Sequence, residues 1–280
     1  MRTKDGRTLA WRELGSGEPL VLHPGGPGAS AVYFGELPAL AAQRTLVLLD
    51  PRGTGGSSAP ADASAYALED YAADIEAVRE HLGLRRMSLL GHSHGGFVAS
   101  VWAGSYPQSV QRLILAGTAT RFTDYIRRTR AERVASHHGQ PYFEDGVAAL
   151  QAQQAGEYSS DEELISLYER AGPLFAPLGE DATPVIAALR AAGIKADAIK
   201  HFNEQIAASM DLRPLLARID AATLVIAGER DPFGGPMTQE IAGALPNATQ
   251  VTVPGADHFP FLEPAHRAAW SRAVLEFLSG

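Results

Sequence analysis

Short apolar runs alternate with amphipathic stretches along most of the chain. Residues 19–23, 45–50, 87–90, 112–116 and 223–227 are rich in Leu, Val and Ile, and residues 250–253 form a weaker run. Strands without polar alternation suit a parallel sheet covered on both faces. Helical periods lie between them. Leu68, Tyr71, Ala72, Ile75, Val78 and Leu82 recur at three- to four-residue spacing before Gly83 stops the pattern. A second helix is predicted over 95–106, closed by Pro107, and a third over 264–278, with Pro264 in its first turn. Strand–helix alternation with right-handed crossovers predicts an α/β fold: a mostly parallel central sheet flanked by helices.

The alternation fails over residues 119–219. Helical periods fall at 125–136, 160–170, 183–192 and 196–210, prolines punctuate them, and no strand pattern intervenes. The expected organisation is therefore a core built from residues 1–118 and 220–280, with 119–219 inserted as a helical cap.

Composition narrows the chemistry. The chain has 280 residues and no cysteine, which excludes disulfides, thiolate metal sites, iron–sulfur clusters and a cysteine nucleophile. Against 32 acidic residues stand 24 Lys and Arg, a formal charge of −8 with no polybasic block. Neither a nucleic acid nor an anionic membrane is the expected partner. The charged N-terminal residues contain no apolar signal core, and no run approaches the length of a membrane span, so a cytoplasmic protein is expected.

One segment carries a reaction. Gly91-His92-Ser93-His94-Gly95 is a Gly-x-Ser-x-Gly pattern between a predicted strand and a predicted helix. A serine there sits on a sharp turn with its hydroxyl above the sheet, and the glycines let strand and helix approach. Serine needs a base, itself oriented by a carboxylate, and this arrangement places them in the order Ser, acid, His. Asp231 follows the run at 223–227 and His258 the run at 250–253. Ser93 is thus the candidate nucleophile, His258 the base and then acid, and Asp231 the orienter, with Glu229 and Asp257 as rival acids. The His94 N–H, at the start of the helix, is one candidate oxyanion donor. The loop Pro24-Gly25-Gly26-Pro27-Gly28 supplies the other, from Gly26 or the glycine beside it.

These segments, with Asp50-Pro51-Arg52-Gly53-Thr54-Gly55-Gly56-Ser57, resemble the α/β-hydrolase superfamily, and within it the proline iminopeptidase group of serine peptidases. The resemblance implies an α/β-hydrolase fold and a cofactor-free serine hydrolase acting on a small molecule or short peptide. It implies cleavage of an amide or ester through an acyl-enzyme, with release of N-terminal proline or a related residue. It also implies cap glutamates that grip the substrate amine, of which Glu204 is the first candidate. Pro24 stands where that group has histidine, and His94 where it often has tryptophan.

A carboxylesterase, a lactonase or a carbon–carbon bond hydrolase is the alternative on the same machinery, and a non-catalytic ligand receptor a more distant one. His92-x-His94 lacks a third ligand and is not read as a metal site. The 53–58 loop lacks the Lys of a phosphate-binding loop, so its glycines are read as structural turn residues, and Arg52 is read as a buried ion-pair partner that holds the loop. His137 and His138 are read as solvated.

Overall fold

The computed structural model describes residues 1–280. The first half runs β1 (Ala10–Leu14), β2 (Glu18–His23), α1 (Pro38–Ala41), β3 (Arg44–Asp50), α2 (Leu68–His81), β4 (Met87–His92), α3 (His94–Ser105) and β5 (Val110–Ala116). Six helices follow: α4 (Asp124–Ser136), α5 (Phe143–Ala155), α6 (Asp161–Ala171), α7 (Thr183–Ala192), α8 (Ala196–His201) and α9 (Arg213–Leu216). The chain closes with β6 (Thr223–Gly228), α10 (Pro236–Ala244), β7 (Ala248–Val253) and α11 (Arg267–Ser279).

The seven strands form one sheet in the order β1-β3-β2-β4-β5-β6-β7. Every neighbouring pair is parallel except β1 with β3. Apolar residues work on both faces because each strand alternates sides. Val21, Leu89, Leu113 and Val225 meet Tyr71, Ile75, Phe97 and Trp102 of α2 and α3 in one core. Leu22, Leu90, Ile114 and Ile226 meet Phe34, Leu40, Trp270 and Val274 in the other. The unbroken runs of β4 and β6 are buried at every position, as two covered faces require.

Between β5 and β6 the chain forms helices joined by loops, with no strand among them. It has a small core of its own around Leu164, Ile165 and Ile199, while Ile126, Phe202, Met210 and Leu212 join the larger core beneath. Four details differ from expectation. The helix over 196–210 is broken: α8 passes into a π-helix, Phe202–Ile206. Strand β1 and helix α5 were not anticipated. His137 is buried, its ring nitrogens bonded to the Tyr142 hydroxyl at 2.8 Å and the Ala176 carbonyl at 3.0 Å. Arg52 is a buried ion-pair partner, 2.8 Å from Asp74, and also donates to the carbonyls of Ala65 and Asp70.

Candidate active site

Strands β2 and β4 are sheet neighbours although β3 separates them in sequence. The chain therefore leaves β2 toward one edge and resumes at β4 toward the other. At such a switch point a crevice opens beyond the carboxyl ends of the strands. Glycine-rich loops border it on both sides, one after β2 and one after β4.

Ser93 joins β4 to α3 with φ 55° and ψ −120°, one of two non-glycine residues at positive φ. Such a conformation costs about 1–3 kcal/mol and persists only where the surroundings enforce it. A Cβ on Gly91 would stand 2.2 Å from the Gly95 carbonyl oxygen, and one on Gly95 2.3 Å from that of His23. Strand, turn and helix therefore pack backbone against backbone, which only glycine permits. The Ser93 N–H donates to the Ala116 carbonyl and the Thr118 hydroxyl donates to the Ser93 carbonyl, each at 2.9 Å.

Asp231 and His258 stand on the loops after β6 and β7. His258 Nδ1 lies 3.0 Å from both Asp231 carboxylate oxygens, and Asp231 Oδ1 also accepts the Phe233 N–H at 2.8 Å. The Asp231 side chain is fully buried. Burial alone would push Asp231 up, but the charge and hydrogen bond of His258 hold it below the usual carboxylate range. Burial opposes protonation of His258, yet Asp231 outweighs it and raises the imidazole above its ordinary value. With Nδ1 engaged, Nε2 is the nitrogen left for a substrate or nucleophile. No hydrogen bond joins it to Ser93 in this structure, a contact that commonly tightens only with substrate bound. Gly117 couples the two residues. A Cβ there would stand 2.9 Å from Asp231 Oδ2 and 3.2 Å from His258 Nδ1, and the preceding residue, Ala116, accepts from Ser93. The rival acids are engaged elsewhere: Glu229 accepts the Gly255 N–H, and Asp257 pairs with Arg133 at 2.7 Å.

A buried chain of polar groups links the two glycine loops to the histidine loop, and sequence reasoning missed it. The Gly25 N–H donates to the Tyr33 hydroxyl at 2.6 Å, and that hydroxyl lies 2.8 Å from His92 Nδ1. His92 Nε2 lies 2.8 Å from the His258 carbonyl oxygen. A carbonyl only accepts, so Nε2 carries the proton and Nδ1 accepts from Tyr33. Burial pushes His92 down to about 3, which keeps it neutral. The spacing of these residues gave no signal, because Tyr33 lies 59 residues from His92.

Of the expected oxyanion donors, the His94 N–H opens α3 and has no acceptor in its own helix. The Gly26 N–H donates to no group of the protein, whereas the Gly25 N–H is spent on Tyr33. A Cβ on Gly25 would nevertheless stand 3.3 Å from Ser93 Oγ, so this loop runs directly past the serine. The His94 ring turns away from His92, into a cluster with Tyr71, Phe97 and Phe202. Burial pushes it down to about 3, and its Nε2 has no partner. Aromatic contacts continue from Phe202 through Phe122 and Phe233 to His258.

Glu204 is not brought to Ser93. Phe202 and Glu204 are two residues apart on one helical stretch, so they face nearly opposite sides. Phe202 points inward at His94, and Glu204 lines an outer groove with Ser64, Asp197, Lys200 and His201.

Residues 18–265 match the family described as alpha/beta hydrolase fold. A proline iminopeptidase from Lactobacillus helveticus is 45% identical over 104 residues, which cover 36% of this chain and 35% of that protein. One from Lactiplantibacillus plantarum is 42% identical over 103 residues, with 36% of each chain covered. The match thus spans about a third of the curated relatives' length. Among solved structures, a hydrolase from Pseudomonas aeruginosa is 28% identical with a TM-score of 0.74, covering 100% of this chain and 97% of that one. An esterase from Exiguobacterium antarcticum is 20% identical with a TM-score of 0.76, covering 100% and 98%, which speaks for the fold alone. No helix is long and apolar enough to cross a membrane. By the match over residues 18–265 and the seven-stranded sheet that carries it, the chain belongs to the α/β-hydrolase fold family.

Proposed function

We propose that the protein is a serine hydrolase that cleaves an ester or amide of a small substrate through an acyl-enzyme. The observation that carries this reading is Ser93 in its strained conformation at the switch-point crevice, beside a His258 bonded to buried Asp231. In the reaction Ser93 Oγ attacks the carbonyl carbon while His258 Nε2 takes its proton. The N–H groups of His94 and Gly26 stabilise the oxyanion. His258 then gives the proton to the leaving group, and water, deprotonated by the same nitrogen, releases the acid. Residues 119–219 serve as the cap, and the aromatic line from Phe202 to Phe233 forms an apolar wall for the substrate.

A second reading, release of an N-terminal proline, is supported by the 45% identity to the Lactobacillus helveticus proline iminopeptidase over its shared segment. Turnover of a short-chain 4-nitrophenyl ester and of a proline arylamide separates the two. Ester turnover that Ser93→Ala and His258→Ala each abolish, in folded protein, supports hydrolysis. Arylamide turnover far below ester turnover removes the aminopeptidase reading, and retained ester turnover in Ser93→Ala removes both.

A further inference from the structure

We propose that Arg133 is a positioning residue for the reacting pair: from helix α4 it grips the residue immediately before Asp231 and the residue immediately before His258, and so fixes the loops that carry them. The proposal rests on the hydrolytic reading of that pair and adds a residue to it.

Neither Asp231 nor His258 stands on a regular element. Strand β6 ends at Gly228 and α10 begins at Pro236, while β7 ends at Val253 and α11 begins at Arg267. The two loops must hold the contact between Nδ1 and the carboxylate at 3.0 Å against the freedom of irregular backbone. Their main-chain ties to each other come early. The Glu229 N–H donates to the Val253 carbonyl at 3.0 Å and the Arg230 N–H to the Ala256 carbonyl at 2.9 Å, and no later backbone bond joins them.

Arg133 supplies a further tie at the point where the reacting residues begin. Its Nη2 donates to the Arg230 carbonyl, while its Nη1 lies 2.8 and 2.7 Å from the two Asp257 carboxylate oxygens. Nη1 also lies 2.7 Å from the Phe175 carbonyl oxygen, which braces the guanidinium from a third segment. Arg230 directly precedes Asp231, and Asp257 directly precedes His258. Any rotation of the backbone at either residue would carry the next side chain with it, so holding these two groups restrains both members of the pair. Two more bonds complete the grip on the histidine loop: Glu263 accepts the Asp257 N–H at 3.2 Å, and His92 holds the His258 carbonyl at 2.8 Å.

The support is fixed as well. Ile126, two turns earlier on the same face of α4, is buried in the main core, and Thr123 caps the helix by accepting the Ile126 N–H. A guanidinium presents several donors in one rigid plane, so it can serve a carboxylate and two carbonyls together. The Arg133 and Asp257 side chains are only 12% and 11% exposed, which shields their pairing from water. Breaking such a pair leaves a buried charge beside His258.

The test uses the full-length protein and 4-nitrophenyl acetate. Arg133→Met is expected to lower kcat by about tenfold to a hundredfold, the scale of a reacting group displaced by about 1 Å, while KM stays within about twofold. Arg133→Lys keeps the charge without the fork and should recover part of kcat. Arg133→Met combined with Asp257→Leu separates positioning from stability, because it removes the unpaired buried carboxylate. Its Tm should exceed that of Arg133→Met while its kcat stays low. A kcat that recovers with Tm, or a loss that falls on KM alone, overturns the proposal. The low-field proton resonance of His258 Nδ1–H, identified by its disappearance in His258→Ala, provides a readout independent of turnover. It should be sharp in the parent protein and broadened by solvent exchange in the double variant. Broadening supports the positioning role even if the ester is not hydrolysed, an outcome that sinks only the hydrolytic reading. A resonance equally sharp in both proteins overturns the proposal.

Discussion

Tyr33→Phe removes one oxygen atom from the interior and tests whether the polar chain behind the crevice matters. The ring stays packed against Phe34, so no cavity opens. Two buried groups lose their partners: the Gly25 N–H, bonded at 2.6 Å, and His92 Nδ1, at 2.8 Å. Each orphaned group costs about 1–3 kcal/mol, so the variant should lose on the order of 2–6 kcal/mol of stability. For a domain of this size each kcal/mol lowers Tm by about 2–4 °C, which predicts a drop on the order of 10 °C in a thermal scan. The hydroxyl also ties the loop beside Ser93, through His92, to the His258 carbonyl. Ester turnover at a temperature where the variant is folded should therefore fall about tenfold or more, with kcat affected more than KM, because a misplaced donor weakens oxyanion stabilisation. A Tm within 2 °C of the parent protein together with unchanged kcat would refute the reasoning.

Arg133→Met leaves the Asp257 carboxylate buried without its partner, which costs about 3–5 kcal/mol, whereas Arg133→Met combined with Asp257→Leu should cost less than Arg133→Met alone; a thermal double-mutant cycle measures this, and additive losses contradict it. Gly25→Ala sets a methyl group 2.8 Å from Ser93 Cβ and 3.3 Å from its Oγ, so turnover should drop at least about tenfold by the logic of overpacking, while the far-ultraviolet circular dichroism stays that of the parent. The base must be neutral to accept a proton, and Asp231 raises the His258 pKa above 6.5. Ester turnover should therefore fall as pH drops through a midpoint above that value, and Asp231→Asn should move the midpoint lower. A midpoint that Asp231→Asn leaves in place would show that another group titrates.

Much of the sheet was legible because its strands are covered on both faces. Leu89, Leu90, Val225 and Ile226 are all buried, so their segments read as unbroken apolar runs. Edge strand β1 was not legible: Trp11-Arg12-Glu13 is exposed or half-buried, and only pairing with β3 makes it a strand. Helix α5 hid because its buried positions are Gly146, Ala149 and Gln153, none of which marks an apolar stripe. The expectations for Ser93, Asp231 and His258 came from chain order and strand ends, which are local signals. Tyr33 and His92 had none. Their meaning depends on partners far along the chain, as does that of His137, whose Ala176 acceptor lies 39 residues away. The outward direction of Glu204 likewise depends on how the π-helix turns Phe202 inward.

The proposed hydrolysis requires Ser93 to be an activated nucleophile. Treating the folded protein with a fluorophosphonate and mapping the adduct by peptide mass spectrometry tests it most directly. One adduct per chain is expected, on Ser93, formed much more slowly in His258→Ala. An unmodified Ser93, or an adduct on another residue with Ser93 free, would contradict it.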